Sequence, residues 1–561
     1  MSDANDVRRR AAAWLAADPE PETRAATQAL LDDTTDGADE RLASCFGEWL
    51  EFGTAGIRGL FGPGPGRMNR ALVRRVTAGL ADYLGRTVPE ARARGVVIGH
   101  DARRGSVEFA ADAAGVLSAA GFRVIRLPKH APTPLVAFAL LHLRAAAGIV
   151  VTASHNPPDY NGYKVYWENG AQIVPPHDTG IASAIASNPP YALSDALVED
   201  APASLSADFL AALDAQLQAV PRGTRPLRLV YTPLHGVGAP LCEAALRSEG
   251  ADVLTVAQQR EPDGRFPTVA FPNPEEKGAL DLAEALADRE GIDLVIANDP
   301  DADRVATVVR IGVVRRGGKL RRLTGDELGV VLGDALLEAR GIDRNRADRA
   351  FVAHSIVSSD LLARVAAHHG AECFETLTGF KWIWNGALDH EARGGTFVFG
   401  YEEALGYSVG RAVHDKDGIG AAQLVARLAR SERGLWERLS AIWERHGFIT
   451  SRQKSLVDSA PGGIARNAGR MAALRASPPS EVAGVAVARV RDLAQGADGL
   501  APHDCLTWWL EDGTRIMFRP SGTEPKLKVY LQVLETYDAG AVARGDARLD
   551  ALQAAVFATF R

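Results

Sequence analysis

The chain has little cysteine: four residues in 561, at Cys45, Cys242, Cys373 and Cys505, with no CxxC pair. That spacing argues against a disulfide framework or a zinc site and for reduced thiols in a cytoplasmic protein. Long apolar runs are missing too. The longest apolar region, around 135–151, is interrupted by His142 and Arg144, so no membrane span is expected. The N-terminus, MSDANDVRRRAAAWLAADPEPETR, has an apolar part too short for a secretory leader, and it runs straight into Asp18, Glu20 and Glu22. A basic excess is also absent: 63 Lys and Arg stand against 70 Asp and Glu, a net charge of −7. No nucleic-acid partner is expected of such a chain, and anionic ligands would need local basic pockets.

What is present is a repeated rhythm: an apolar strand, a short polar turn, then a helical pattern. GVVIGHDARRGS (95–106), LRLVYTPLHGVG (227–238), DLVIANDPDADR (293–304) and RAFVAHSIVSSDLLARVAAHHG (349–370) all show it. Near-continuous apolar strands alternating with helices read as α/β sheets covered on both faces. The tail differs. HDCLTWWLEDGTRIMFRPSGTEPKLKVYLQVLE (503–535) alternates around Asp512-Gly513, and a final helix is expected at about 538–559. A chain of this length exceeds one core. Softer breaks fall at 186–206, read as a linker with an acidic patch, near 310–325, where RRGGKLRR reads as a hairpin, and at 445–465. The expected fold class is α/β: three similar α/β domains with mixed sheets (1–205, 206–315, 316–445) and a smaller C-terminal α+β domain (446–561).

One of the apolar strands ends unusually, in GIVVTASHNPPDYNGYKVYW (148–167). Ser154 and His155 follow a core strand, and Pro157 and Pro158 then stiffen the exit. A lone turn serine is the plain reading, since adjacent strand side chains point to opposite faces. A Ser-His-Asp hydrolase fits poorly because no GxSxG elbow is present. A rigid loop at the carboxyl end of a strand is where open α/β sheets hold ligands. Ser154 is thereby displayed on a stiff support, with His155 and Lys164 as cationic neighbours.

A second strand delivers Asp299, Asp301 and Asp303 in GIDLVIANDPDADRV (291–305). Carboxylates so close repel unless something neutralises them. Their i, i+2, i+4 spacing lets a curling loop converge on a hard divalent cation. The EF-hand alternative fails, with Arg304 and Arg310 where glycine and glutamate are needed. Magnesium, which favours a few carboxylates plus phosphate oxygens, suits the site, and Arg304 suits the same anion.

Two further loops complete the set. RIMFRPSGTEPKLKVY (515–530) gathers Arg519, Ser521, Gly522, Thr523 and Lys526 in one turn, a phosphate grip that is not a Walker loop. GYEEALGY (400–407) presents Glu402 and Glu403, able to accept hydrogen bonds from vicinal sugar hydroxyls. TLTGFKWIW (376–384) and HDKDG (414–418) add Gly379, Lys381 and Lys416. Taken singly, each of these loops reads equally as polar surface.

Together, from FGTAGIRG (52–59) to RPSGTEPK (519–526), these loops resemble the α-D-phosphohexomutase superfamily of phosphoglucomutase and phosphomannomutase. The resemblance implies an active site in the central cleft, a phosphorylated Ser154, and Mg2+ held by Ser154, Asp299, Asp301 and Asp303. It implies sugar recognition by Glu402 and Glu403, and a distal phosphate held by Arg519, Ser521, Gly522, Thr523 and Lys526. Arg58 matches the family's N-terminal arginine. Lys416, His155 and Lys164 are the candidates for general acid and base. Ala404 departs from the pattern, since many members carry serine there, and GYEEALGY resembles the phosphopentomutase-like branch. The implied reaction interconverts glucose 1-phosphate and glucose 6-phosphate through glucose 1,6-bisphosphate, with mannose or pentose phosphates as alternatives. Small sugar phosphates are the implied partners of a monomer or homodimer.

Overall fold

The β-branched run after Gly95 forms the strand Val96–His100, the centre of a six-stranded mixed sheet. Ala147–Val151 and Val124–Arg126 pair parallel to it on either side. Beyond them Tyr160–Trp167 runs antiparallel to Ala147–Val151, and Ile57–Leu60 antiparallel to Tyr160–Trp167. The other edge is Val198–Asp200. The segment read as a linker therefore also contributes a strand, because three residues suffice to satisfy an open sheet edge. The helix Arg70–Thr87 starts at Asn69, whose side chain accepts from the Leu72 amide at 2.9 Å. Its buried stripe of Leu72, Val76, Leu80 and Leu84 packs with Val96, Ile98, Ile149 and Phe109. Burying each such side chain contributes about 1.5–3 kcal/mol.

The structure, a computed structural model, describes residues 4–311, 318–341, 349–460, 462–521 and 525–560. The chain divides into two units. Met1–Gly325, Ala387–Asp389 and Ala404–Glu432 form the first, and Asp326–Gly386, His390–Glu403 and Arg433–Arg561 the second. A second sheet of the first unit places Leu294–Asn298 between Leu227–Thr232, parallel, and Val305–Ile311, antiparallel. Val305–Ile311 pairs in turn with Lys319–Arg322, so the expected hairpin is present, its tip at 312–317 lying outside the described residues.

In the second unit Arg349–Ser355 pairs parallel with both Glu372–Thr376 and Gly395–Glu402. A six-stranded antiparallel sheet follows, with Leu506–Leu510 and Arg515–Pro520 joined through Gly513 at φ 81°. The closing helix is Ala541–Ala558, and its Leu549, Leu552 and Val556 enter that sheet's core. All four cysteines are unpaired. Among the described residues, no helix is long and apolar enough to cross a membrane.

One buried charge network fixes a helix of the first unit. Arg427, on the buried helix Gly418–Ala429, grips Glu249 at 2.6 and 3.0 Å and Asp214 at 2.8 Å. Both Arg427 and Glu249 are only 2% exposed. Arg427→Ala would strip the buried Glu249 carboxylate of its bidentate partner, at a cost of about 3–5 kcal/mol. Urea denaturation should show that loss, and a wild-type denaturation profile for the variant would contradict it.

Candidate active site

The two polar loops flagged in the first unit both leave the carboxyl ends of strands, Ala147–Val151 and Leu294–Asn298. Ser154 turns sharply, at φ 53°, and this breaks the strand alternation. Its Oγ therefore reaches both its neighbour and a distant chain: it donates to Asp299 Oδ2 at 2.9 Å and lies 3.1 Å from His155 Nδ1. The aspartate loop makes a matching turn at Ala302, φ 55°.

The three carboxylates are at most 1% exposed, and their oxygens lie within 4.8 Å of one another. Lys164 Nζ donates to Asp301 at 2.8 Å and Asp303 at 3.1 Å, Thr133 Oγ1 to Asp301 at 2.9 Å, and Lys416 Nζ lies 3.2 Å from Asp303. The backbone N–H of Arg304 donates to Asp299 at 3.0 Å. Burial, reinforced by the charges of Asp301 and Asp303, pushes the Asp299 carboxyl well above the usual range. For Asp301 burial acts upward as well, but the Lys164 charge and hydrogen bond outweigh it and hold the group below that range. Asp303 is also held low: burial and Asp301 act upward, and Lys416, Lys164 and Arg304 overcome them. Lys164 is fully buried, which pulls it down, yet Asp301 and Asp303 leave it above the ordinary lysine value.

Asp301 Oδ1 and Asp303 Oδ1 are buried without a hydrogen-bond partner. Unsatisfied carboxylate oxygens beside a third carboxylate are the donor set a divalent cation requires, so Asp299, Asp301 and Asp303 fit magnesium.

One expectation is corrected. His155 is not a cation: burial, then the charges of Arg304 and Arg58, push its imidazole well below the ordinary value. It stands neutral beside Ser154. Arg58 approaches the same loop, donating to Asn156 Oδ1 at 3.0 Å.

Several supporting residues were not singled out from the sequence. Arg103 is 3% exposed and binds four carbonyls of the serine loop: Ser154 at 2.6 Å, Pro157 at 2.7 Å, Tyr160 at 3.2 Å, and Asn156. Its guanidinium lies 4.8 Å over the Phe266 ring. Asp101 accepts from Thr152 Oγ1 at 2.7 Å and Ser106 Oγ at 2.6 Å. The signal for both was DARRGS, a polar turn after a strand, which has the same form as the serine and aspartate loops. Asp415 accepts from Tyr166 and Gln172 and lies 3.7 Å from Lys416 Nζ. Asn298 donates to Arg304 O and Gly418 O, bridging the aspartate loop and the turn that carries Lys416. The approach there is so close that a Cβ on Gly418 would sit 2.3 Å from Arg304 O.

The second unit gathers the remaining candidates. Glu402 accepts from the Gly379 amide at 2.7 Å. Glu403 accepts from Ser355 at 3.2 Å and Ser358 at 3.3 Å. Tyr530 is pushed up by burial, then by Glu403, against the opposing charge of Arg519. His503, unnoticed in the sequence, is lowered by burial and then by Arg519, with Lys381 contributing. Glu402, Glu403 and Arg519 thus act electrostatically on Tyr530, and Arg519 and Lys381 on His503. The Ser521 amide donates to Lys526 O at 2.8 Å, closing the turn, while Gly522 and Thr523 lie outside the described residues.

The phosphoglucomutase/phosphomannomutase alpha/beta/alpha domains I, II and III match residues 50–192, 207–312 and 324–446. Human phosphopentomutase is 35% identical over 570 residues, covering 93% of this chain and 90% of its own. Phosphoribomutase of Saccharomyces cerevisiae is 38% identical over 449 residues, covering 74% of this chain and 70% of its own. The crystal structure of a phosphoglucomutase/phosphomannomutase family protein from Burkholderia thailandensis superimposes with a TM-score of 0.67 at 22% identity. It covers 90% of this chain and 97% of that one, a likeness of fold.

Arg103 carries a sharp prediction. Arg103→Met should lower kcat about 100-fold, the scale on which a misplacement of about 1 Å acts, while far-UV circular dichroism stays native. Unchanged kcat would show that the four carbonyl contacts do not hold the serine in place.

Proposed function

The chain belongs to the phosphoglucomutase/phosphomannomutase family and is a phosphosugar mutase, and from that premise we propose that its substrates are pentose phosphates, interconverted between the 1- and 5-phosphates. The observation that carries this is the match to a phosphopentomutase over nine-tenths of both chains. The expectation of a glucose mutase gives way to the pentose alternative. Ala404 is in keeping with it, since the sugar loop lacks a hydroxyl donor at that position.

In this reading Ser154 carries the phosphoryl group, and Arg103, with the Pro157–Pro158 pair, holds the loop still. The turn containing Arg519, Ser521, Gly522, Thr523 and Lys526 grips the phosphate that does not react. Glu402 and Glu403 accept the sugar hydroxyls, leaving the free hydroxyl to attack phospho-Ser154. Phosphoryl transfer asks a protein mainly for positioning and neutralisation of charge. Lys164, Lys416, Arg58 and Arg304 supply the neutralising charge around Asp299, Asp301 and Asp303. Those three carboxylates would hold magnesium, which would supply Lewis-acid stabilisation of the serine oxygen as leaving group. Neutral His155, 3.1 Å from Ser154 Oγ, can accept a proton, and the ammonium groups of Lys164 and Lys416 can return one. The resulting sugar bisphosphate turns end over end and returns its other phosphate to Ser154. Glucose 1,6-bisphosphate serves as the priming phosphoryl donor.

A panel of ribose, deoxyribose, glucose and mannose 1-phosphates, primed with glucose 1,6-bisphosphate, tests the assignment. The pentose phosphates should lead in kcat/KM by at least about tenfold, the scale of one or two sugar contacts. A hexose phosphate in the lead would overturn the pentose reading. Ser154→Ala should abolish turnover in a folded protein, and EDTA should do the same to wild type. Activity surviving either treatment, or net release of inorganic phosphate, would refute the mechanism.

A further inference from the structure

The second unit holds a polar cavity of about 360 Å3 that shares no residue with the loops described above. It lies among the helices Gly325–Arg340, Leu361–His368 and Leu435–His446. Its floor is an ion-paired knot. Arg438 Nη1 lies 2.8 Å from Asp334 and 2.7 Å from Glu338, and His369 Nε2 lies 2.9 Å from the other oxygen of Asp334. Those contacts engage both acids of the lining. At the rim stand Arg433, Arg445 and His368, all exposed, and Arg445 forms no ion pair with a described residue. Arg364 joins from one side, donating to His446 O at 3.0 Å. The His368 ring meets those of His369 at 5.1 Å and His446 at 5.6 Å.

Three arginines and two imidazoles thus line the cavity with two carboxylates, and Arg364 and His446 adjoin it, in a chain whose net charge is −7. The positive excess is local, as an anion site in an acidic protein requires. Buried polar atoms are also left over. Arg438 Nε is buried without a hydrogen-bond partner, as are ring nitrogens of His369 and His446. The Arg438 and His369 side chains are 13% and 7% exposed, so water does little to satisfy them. The crowding of cations is visible in His446, pushed down by burial and then by His368 and Arg445, and an anion relieves that repulsion.

We propose that this cavity is an oxyanion site that binds a dianionic phosphate group, free or esterified to a small metabolite, with Arg433, Arg438 and Arg445 as its donors. The volume is at the lower end for ligand sites, which suits a phosphate group with a few carbons. Two imidazoles, His368 and His369, line the cavity, and His446, edge-on against His368, gives the site a pH dependence. A bound dianion opposes the effects that push His446 down and favours its protonated form. Asp334 and Glu338 on the facing helix act in the same direction, and Arg364, Arg433, Arg438 and Arg445 act against it.

Titration calorimetry on the full chain tests this, with inorganic phosphate and glycerol 2-phosphate as probes for the free and esterified ligand. Inorganic sulfate serves as a probe of constant charge for the pH arm. Wild type should bind these anions, and sulfate should bind more tightly at about pH 6 than at about pH 8, across the histidine range. The Arg433→Ala/Arg445→Ala double variant should lose at least tenfold in affinity at this site. Competitive inhibition of turnover by the same anions, which reports the catalytic groups, should not change. The Arg433→Lys/Arg445→Lys variant should keep most of the binding. Identical isotherms for wild type and the alanine variant would overturn the proposal. So would an absence of binding beyond that displaced by substrate, or a lysine variant as impaired as the alanine one.

Discussion

Asp299, Asp301 and Asp303 are buried together at the end of one strand, and in a low dielectric their mutual repulsion has to be met by cations or by proton uptake. The protein uses both. Lys164 and Lys416 hold Asp301 and Asp303 in the charged form, while Asp299, with no ammonium group on it, is pushed toward the protonated form. Much of the first unit's architecture follows from that requirement. Lys164 reaches the cluster from the antiparallel strand beside the serine loop. Lys416 sits on the turn that Asn298 ties to Arg304.

The same cluster aligns Ser154. Its hydroxyl donates to Asp299, and its backbone carbonyl is held from the other side by Arg103, so Ser154 is fixed at both ends. Phosphoryl transfer gains most from groups already in place, because reorganising charge around a dianion is costly. In the second unit the pattern is similar at a smaller scale. Glu402 is oriented by the Gly379 amide and Glu403 by two serines.

Much of this was legible in the residues, for a local reason. The strand–turn–helix rhythm, the Asp512-Gly513 turn and the hairpin beginning at Val305 are written in neighbouring positions, as are the three aspartates and the serine loop. What was hidden depends on contacts far apart in sequence. Arg103 meets the serine loop 51 residues on, and Thr133 meets Asp301 across 168. Neither distance leaves a trace in composition or period. The charge of His155 was misread for the same reason: burial and the nearby Arg58 and Arg304 come from tertiary structure, and they turn a nominal cation neutral. The edge strand Val198–Asp200 was missed because three residues carry no readable alternation. The sugar preference turns on finer differences still. There the GYEEALGY loop was the local clue, and the pentose proposal rests on similarity to a phosphopentomutase over 93% of the chain.

The claim beneath the rest is that this carboxylate trio is a divalent-cation site adjoining the serine. Anomalous diffraction from crystals soaked in manganese tests it most directly. The account predicts one dominant anomalous peak, coordinated by Asp299, Asp301 and Asp303 and next to Ser154. Saturating manganese with no peak among these three residues, or with its strongest peak elsewhere on the chain, would contradict it.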